Sequence, residues 1–193
     1  MEKLTPARAL IAELVRRYSV LGLECTNLEV QKLAWFLHRG IAQLSPADAL
    51  DLRFTANRYG PYADRLRHLL DGLDGSYLHC EKRLSDAGPF YLIWFEDAKR
   101  RAVGDYLAGS EAAQYEPAFE WATKVIDGFE SPLGMELLAT VDWLRTERAV
   151  DLTVDSMKEA LRKWPGGRGA AARKLELFDD RLLGFAIERL AVN

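Results

Sequence analysis

Residues able to do acid–base, nucleophilic or metal chemistry are few in this chain and stand far apart. His38, His68 and His79 are its three imidazoles, and neither an HExxH pair nor a Cys-x-x-Cys accompanies them. An isolated imidazole of this kind reads first as a surface or half-buried side chain, and only second as a ligand. Cys25 and Cys80 are the only cysteines and have no metal-ligand spacing, which points to a reducing compartment and no disulfide framework. Gly166-Gly167-Arg168-Gly169 is glycine-rich, but it follows a helical pattern and lacks the lysine–hydroxyl pair of a phosphate loop. Glu116 and Glu120 are carboxylates at i, i+4, a spacing as common on a solvated helix face as in a site. The pattern points to no catalytic residue, no metal ligand and no cofactor; an enzyme whose site assembles across the sequence stays open, but nothing in the pattern favours it.

Two other features carry more information. In RFTANRYGPYADRLRHLLDGL, from Arg53 to Leu73, Tyr59 and Tyr62 flank Gly60-Pro61. Pro61, with fixed φ and no N–H, suits the first position of a helix, and Gly60 permits a sharp turn before it, with positive φ if required. Leu66, Leu69, Leu70 and Leu73 continue as one buried helical stripe, and Leu52 to Thr55 alternates like a short strand. None of this requires tyrosines. A ring with a polar tip suits a packed turn or a half-wet contact surface, so Arg58, Tyr59 and Tyr62 are the contact candidates, with packing as the plainer explanation.

The second feature is charge. Between Ala102 and Leu144 lie Asp105, Glu111, Glu116, Glu120, Asp127, Glu130, Glu136 and Asp142, against the single base Lys124; the rest of the chain has 21 acids and 25 bases. A solvated acidic face explains this, and so does a surface for a basic partner. Glu116, Glu120, Asp127 and Glu130 stand at helical or near-helical spacing and are the candidates for the latter.

The elements that would position these residues are mostly helical. Thr5-Pro6 opens a helix whose stripe is Leu10, Ile11, Leu14, Val15 and Tyr18. Thr26 and Glu29 form a capping box for a helix that is apolar around most of its girth, with Gly40 expected just past its end. Ser45-Pro46 suggests a short helix, Pro89 to Phe95 a strand, and Asp97 to Ala108 a helix. Further helices are expected from Pro117, from Ser131-Pro132, from Thr153 and over Phe178 to Leu190, with Pro165 to Lys174 as a flexible basic loop. The expectation is a mainly α, compact helical domain of about seven helices with a small two-stranded β element, spanning residues 1–193 as a single domain.

Composition agrees with a folded domain. Of 193 residues, 49% are hydrophobic, enough for a core, and the net charge of -3 excludes generic nucleic-acid binding by the chain as a whole. The start, MEKLTPARAL, lacks a signal-peptide pattern and no apolar run reaches transmembrane length, so the expected setting is cytoplasmic, with no membrane partner.

Four ordered blocks then suggest a family. Thr5-Pro6-Ala7-Arg8-Ala9 opens the chain; Leu28-Glu29, Lys32-Leu33, Phe36 and Gly40 follow on one helix; Tyr59 to Leu70 reads YGPYADRLRHLL; Gly128-Phe129-Glu130, Pro132, Gly134, Glu136 and Thr140 to Trp143 form the fourth. With these the chain resembles the C-terminal domain of the DarG antitoxin family of DarT–DarG toxin–antitoxin systems, and more weakly, over its first third, the Panacea-type antitoxin domains. The resemblance implies a bacterial antitoxin-type inhibitor, binding a DarT-like ADP-ribosyltransferase toxin that modifies thymidine in DNA and blocking it partly by DNA mimicry through the acidic surface. It implies no direct nucleic-acid contact, and no removal of ADP-ribose by this domain. Lys32, Phe36, Gly60, Pro61 and Gly134 become scaffold residues of the family motif. The alternative is a DNA-binding regulator of a toxin–antitoxin operon using Arg168, Arg173 and Lys174.

Overall fold

The computed structural model describes residues 4–20, 22, 25–44, 48–109 and 111–193. Among them the elements run α1 (Pro6–Val20), β1 (Cys25–Thr26), α2 (Asn27–Leu44), β2 (Thr55–Asn57), β3 (Gly60–Tyr62), α3 (Asp64–Asp71), β4 (Leu78–Cys80), β5 (Leu92–Phe95), α4 (Arg100–Leu107), α5 (Glu116–Ile126), α6 (Pro132–Glu147), α7 (Val154–Arg162), α8 (Arg168–Leu177) and α9 (Asp180–Ala191). The fold is mainly α, as expected, with a small β component. No helix among the described residues is long and apolar enough to cross a membrane. The chain forms two compact units, Met1–Arg53 with Ala63–Lys124, and Phe54–Tyr62 with Val125–Asn193.

The first unit is built around α2. Thr26 N donates to Glu29 Oε2 at 2.8 Å and Glu29 N to Thr26 Oγ1 at 3.3 Å, the expected capping box. Tyr18 of α1 adds its hydroxyl to Glu29 Oε1 at 2.7 Å. From Leu28 to Leu37 every residue of α2 is buried, Lys32 and Phe36 included. The α1 stripe from Leu10 to Tyr18 is buried as well, and α1 packs on α2, α3, α4 and β5. Gly40 lies inside α2, not past its end. A Cβ there would stand 2.9 Å from Ala118 O and 3.1 Å from the Trp121 ring, so the glycine is required by the close approach of α2 and α5 and not by chain reversal. β5 pairs antiparallel with both β1 and β4; it begins at Leu92, three residues later than the Pro89 expectation. The predicted helix over Asp97 to Ala108 starts as a 3-10 turn at Asp97–Lys99 and continues as α4. The Ser45-Pro46 helix expectation lies outside the described residues.

The second unit is built around α6. Ser131 caps it, its Oγ accepting from Gly134 N at 3.1 Å, and Met135 to Leu144 are buried without interruption. β3, α7 and α9 pack against it. Thr153 and Asp179 cap α7 and α9, accepting from Ser156 N and Leu182 N; α9 therefore starts at Asp180, and Phe178 ends α8.

Two sequence expectations fail here for local reasons. Pro61 does not open a helix: Asn57 pairs with Gly60, Ala56 with Pro61 and Thr55 with Tyr62, making a hairpin with Arg58-Tyr59 at its tip. Proline is tolerated because a two-stranded ribbon leaves outward N–H positions unused, and α3 starts only at Asp64. The strand expected over Leu52 to Thr55 correspondingly begins at Thr55. Second, Pro165 to Lys174 is not a flexible loop, since α8 begins at Arg168. Three successive alanines outweigh the flanking glycines, and Ala170, Ala171, Lys174 and Phe178 are buried at helical spacing.

Candidate functional site: the hairpin tip and a buried charge cluster

The tip of the β2–β3 hairpin is held by the α7–α8 connection. Trp164 Nε1 donates to Asn57 O at 2.9 Å, and the Trp164 ring meets Trp143 edge-on at 5.1 Å between centroids. Gly166 is forced to be glycine, because a Cβ there would lie 2.7 Å from Asn57 O and 2.4 Å from Trp164 Nε1. Gly60 completes the tip at φ 95°, a conformation that β-carbons disfavour.

Beneath the tip lies an ionic cluster. Lys174 Nζ donates to Glu136 Oε1 at 2.6 Å and reaches Thr140 Oγ1 at 3.4 Å. Arg173 Nη1 donates to the same Glu136 oxygen at 2.7 Å. Lys174 and Glu136 are 0% and 1% exposed. The Lys174 ammonium also faces the rings of Trp164 and Phe178 at 5.1 and 5.3 Å. Burial pushes the Lys174 ammonium below its ordinary pKa, and attraction to Glu136 opposes that shift. Arg173 joins the cluster to the surface: its guanidinium carbon sits 4.9 Å from the Tyr59 ring centroid, with Arg58 at 5.5 Å from the same ring.

This arrangement answers the question of the tyrosines for one of the two. Tyr59 is half-buried and seats two guanidinium groups; Tyr62 is half-buried in β3 opposite Thr55, and nothing in the structure explains its hydroxyl. Chemically the cluster is a locked cationic surface. Glu136 is engaged by two cations and enclosed, so it presents no proton to a substrate. Among the described residues no group of three or more His, Cys, Asp or Glu is placed to hold a metal ion.

The remaining candidates divide between the units. Glu116 and Glu120 are exposed on α5 in the first unit, while Asp127 and Glu130 belong to the second. Glu116 is not a bare anion: Arg17 Nη1 and Nη2 bind its two oxygens at 2.9 and 2.7 Å. Asp127 lies just past α5 with Arg189 Nη1 at 4.0 Å. Glu136 and Asp142 are buried, Asp142 with Arg145 Nη2 at 3.3 Å. Of the four acidic candidates, Glu116 and Asp127 thus have an arginine beside them, whereas Glu120 and Glu130 have no ion-pair partner among the described residues. Of the scaffold residues, Gly134 is dictated by a close turn, its Cβ position lying 2.6 Å from Phe129 O. The sequence reading missed the roles of Trp164 and Asn57 and saw Thr140 only as part of a motif block, because the distances along the chain between these residues and their partners leave no periodic trace.

No family model matches the chain. Curated relatives do. The DNA ADP-ribosyl glycohydrolases of Mycobacterium bovis and Mycobacterium tuberculosis are each 33% identical over 207 aligned residues, covering 99% of this chain and 54% of theirs. The DNA ADP-ribosyl glycohydrolase of Thermus aquaticus is 37% identical over 173 residues, covering 84% of this chain and 42% of its own. The chain thus spans about half the length of the curated relatives it matches. These names correct the expectation of a non-enzymatic, DNA-mimicking antitoxin that inhibits a DarT-like toxin, and equally that of an operon regulator: the relatives are named for a hydrolase. The missing phosphate loop and scattered imidazoles argued against an enzyme only from the absence of familiar motifs, which is weaker than likeness along the whole chain. The chain is related, over nearly its full length, to part of the DNA ADP-ribosyl glycohydrolases.

Proposed function

We propose that this chain takes part in removing ADP-ribose from DNA, as a domain of the DNA ADP-ribosyl glycohydrolase kind. The observation that carries the reading is the 33% identity along 99% of the chain to proteins named for that activity. The cationic hairpin tip supports it, since a protein acting on DNA needs donors for phosphate oxygens. The domain contributes either to the hydrolytic step or to holding the modified strand, and one experiment reads both. Purified chain is incubated with an ADP-ribosylated oligonucleotide and its unmodified twin, and both ADP-ribose release and retention are followed. Release at a catalytic ratio, or preferential retention of the modified strand, is expected. Neither release nor preference would overturn the reading.

A further inference from the structure

We propose that the hairpin tip at Arg58-Tyr59 and the first turn of α8 at Arg168 form one contact surface for the phosphate backbone of a DNA strand. The choice of DNA among polyanions rests on the function proposed above; the surface itself rests on charge and geometry.

From Lys158 to Lys174 the chain carries six basic residues and one acid, Glu159. Not all six are available. Lys158 is bound to Asp180, and Lys174 is enclosed on Glu136. Arg162 and Lys163 share Glu159 at 3.0 and 2.7 Å, which leaves one positive charge in excess. Arg173 and Lys174 share Glu136, which leaves another. Arg58 and Arg168 are exposed, and among the described residues neither has an ion-pair partner.

Geometry brings Arg58, Arg173 and the start of α8 to one place. The Trp164–Asn57 hydrogen bond and the tight fit at Gly166 tie the hairpin tip to the connection leading into α8. Arg173 over Tyr59 ties the same tip to the body of α8. Tyr59 acts as a positioning residue: its ring seats Arg58 and Arg173, which reduces the ordering cost when a phosphate arrives. Gly167 and Gly169 are exposed, and a Cβ at either would meet nothing within 4 Å, so a sugar–phosphate chain can approach the backbone there without a side chain in the way. A local contact of this kind would run against the expectation of no direct nucleic-acid contact, while the net charge of the whole chain is -3.

The test is fluorescence anisotropy of a labelled, unmodified single-stranded oligonucleotide titrated with the full chain over a range of salt. Wild type should bind at low salt and weaken as salt rises. Arg58→Glu with Arg168→Glu should lower affinity by at least about tenfold and reduce the log–log salt slope by about 1.4, two contacts at ~0.7 each for a single strand, with melting and far-UV circular dichroism unchanged. Absence of wild-type binding at low salt, or a double variant with wild-type affinity and slope, would overturn the proposal. So would displacement of the oligonucleotide by poly-glutamate at equal charge, which would mark the surface as one for an acidic protein. The two readings fail separately. ADP-ribose release that ignores both substitutions leaves the glycohydrolase function standing and removes this surface; binding that depends on them without release or preference for the modified strand does the reverse.

Discussion

Both units bury the middle of one helix on every side, yet they treat the carboxylate near its start in opposite ways. In the first, Glu29 of α2 receives the Thr26 amide, the Thr26 hydroxyl at 2.7 Å and the Tyr18 hydroxyl, all neutral donors. In the second, Glu136 of α6 receives an ammonium and a guanidinium. The neutral solution is local in sequence and makes a helix start. The ionic solution joins segments 37 and 38 residues apart and orders a surface, because Arg173 carries the constraint outward to Tyr59. A buried ion pair is weak evidence of net stabilisation, but breaking one partner is costly. The difference implies that α2 is arranged for stability and α6 also for presenting the hairpin tip.

The largest test of that contrast is Glu136→Ala, which leaves Lys174 enclosed without its carboxylate. A loss of about 3–5 kcal/mol is expected, read from chemical denaturation. Replacing both partners, Glu136→Leu with Lys174→Met, should recover most of that loss while disturbing Arg173, so DNA retention should fall although the melting temperature does not. If the apolar pair retains DNA like wild type, the cluster is structural only.

A second measurement uses pH. The folded-state pKa of Lys174 is below the ordinary 10.5, so between the two values the unfolded chain holds more protons and stability rises with pH. Wild type minus Lys174→Met should therefore show a stability difference that is constant at neutral pH and shifts in favour of wild type as pH climbs towards 10.5. A flat difference through that window would mean that the ammonium is not desolvated.

Next in size is Gly60→Val. At φ 95° a β-branched residue should cost about 1–3 kcal/mol and loosen the tip. Gly40→Val should cost a similar ~1–3 kcal/mol by overpacking without touching DNA retention, since its obstacle is the α5 backbone. Equal effects of the two glycines on retention would erase the distinction drawn between the units.

The smallest effect belongs to Tyr18→Phe. It removes one neutral donor from Glu29, whose other two remain, and should cost about 0.5–1.5 kcal/mol. A loss as large as that of Glu136→Ala would show that the Glu29 network is as tightly coupled as the ionic one.

Legibility in the sequence follows the same division. The Thr5-Pro6 start of α1, the Thr26–Glu29 box, the Ser131 and Thr153 caps and the all-round apolar middle of α2 could be read because each rests on residues within a few positions of one another. The hairpin was missed because Gly-Pro before a leucine stripe equally describes a helix start, and only the pairing of Ala56 with Pro61 decides. α8 was missed because glycines at 166, 167 and 169 masked the alanines that follow. In the site, Arg58, Tyr59, Arg173 and Lys174 stood out by type, but their connection to one another or to Glu136 did not, since no spacing rule connects residue 59 to 173. Gly40 was noticed for the wrong reason: a glycine's role in helix packing depends on the atoms it faces.

The order in which residues leave the ribosome gives the split composition of the second unit a further meaning. Residues 54–62 belong to it, but α6, on which β3 packs, begins only at Pro132. At ~5–20 residues per second, the hairpin segment is synthesised about 4–14 s before its packing partner, and longer still before Trp164 and Arg173. A nascent chain thus carries an unpartnered Arg-Tyr turn until these residues follow, and a gene fragment starting at Val125 would encode every helix from α6 onwards while lacking the strand that α6 covers.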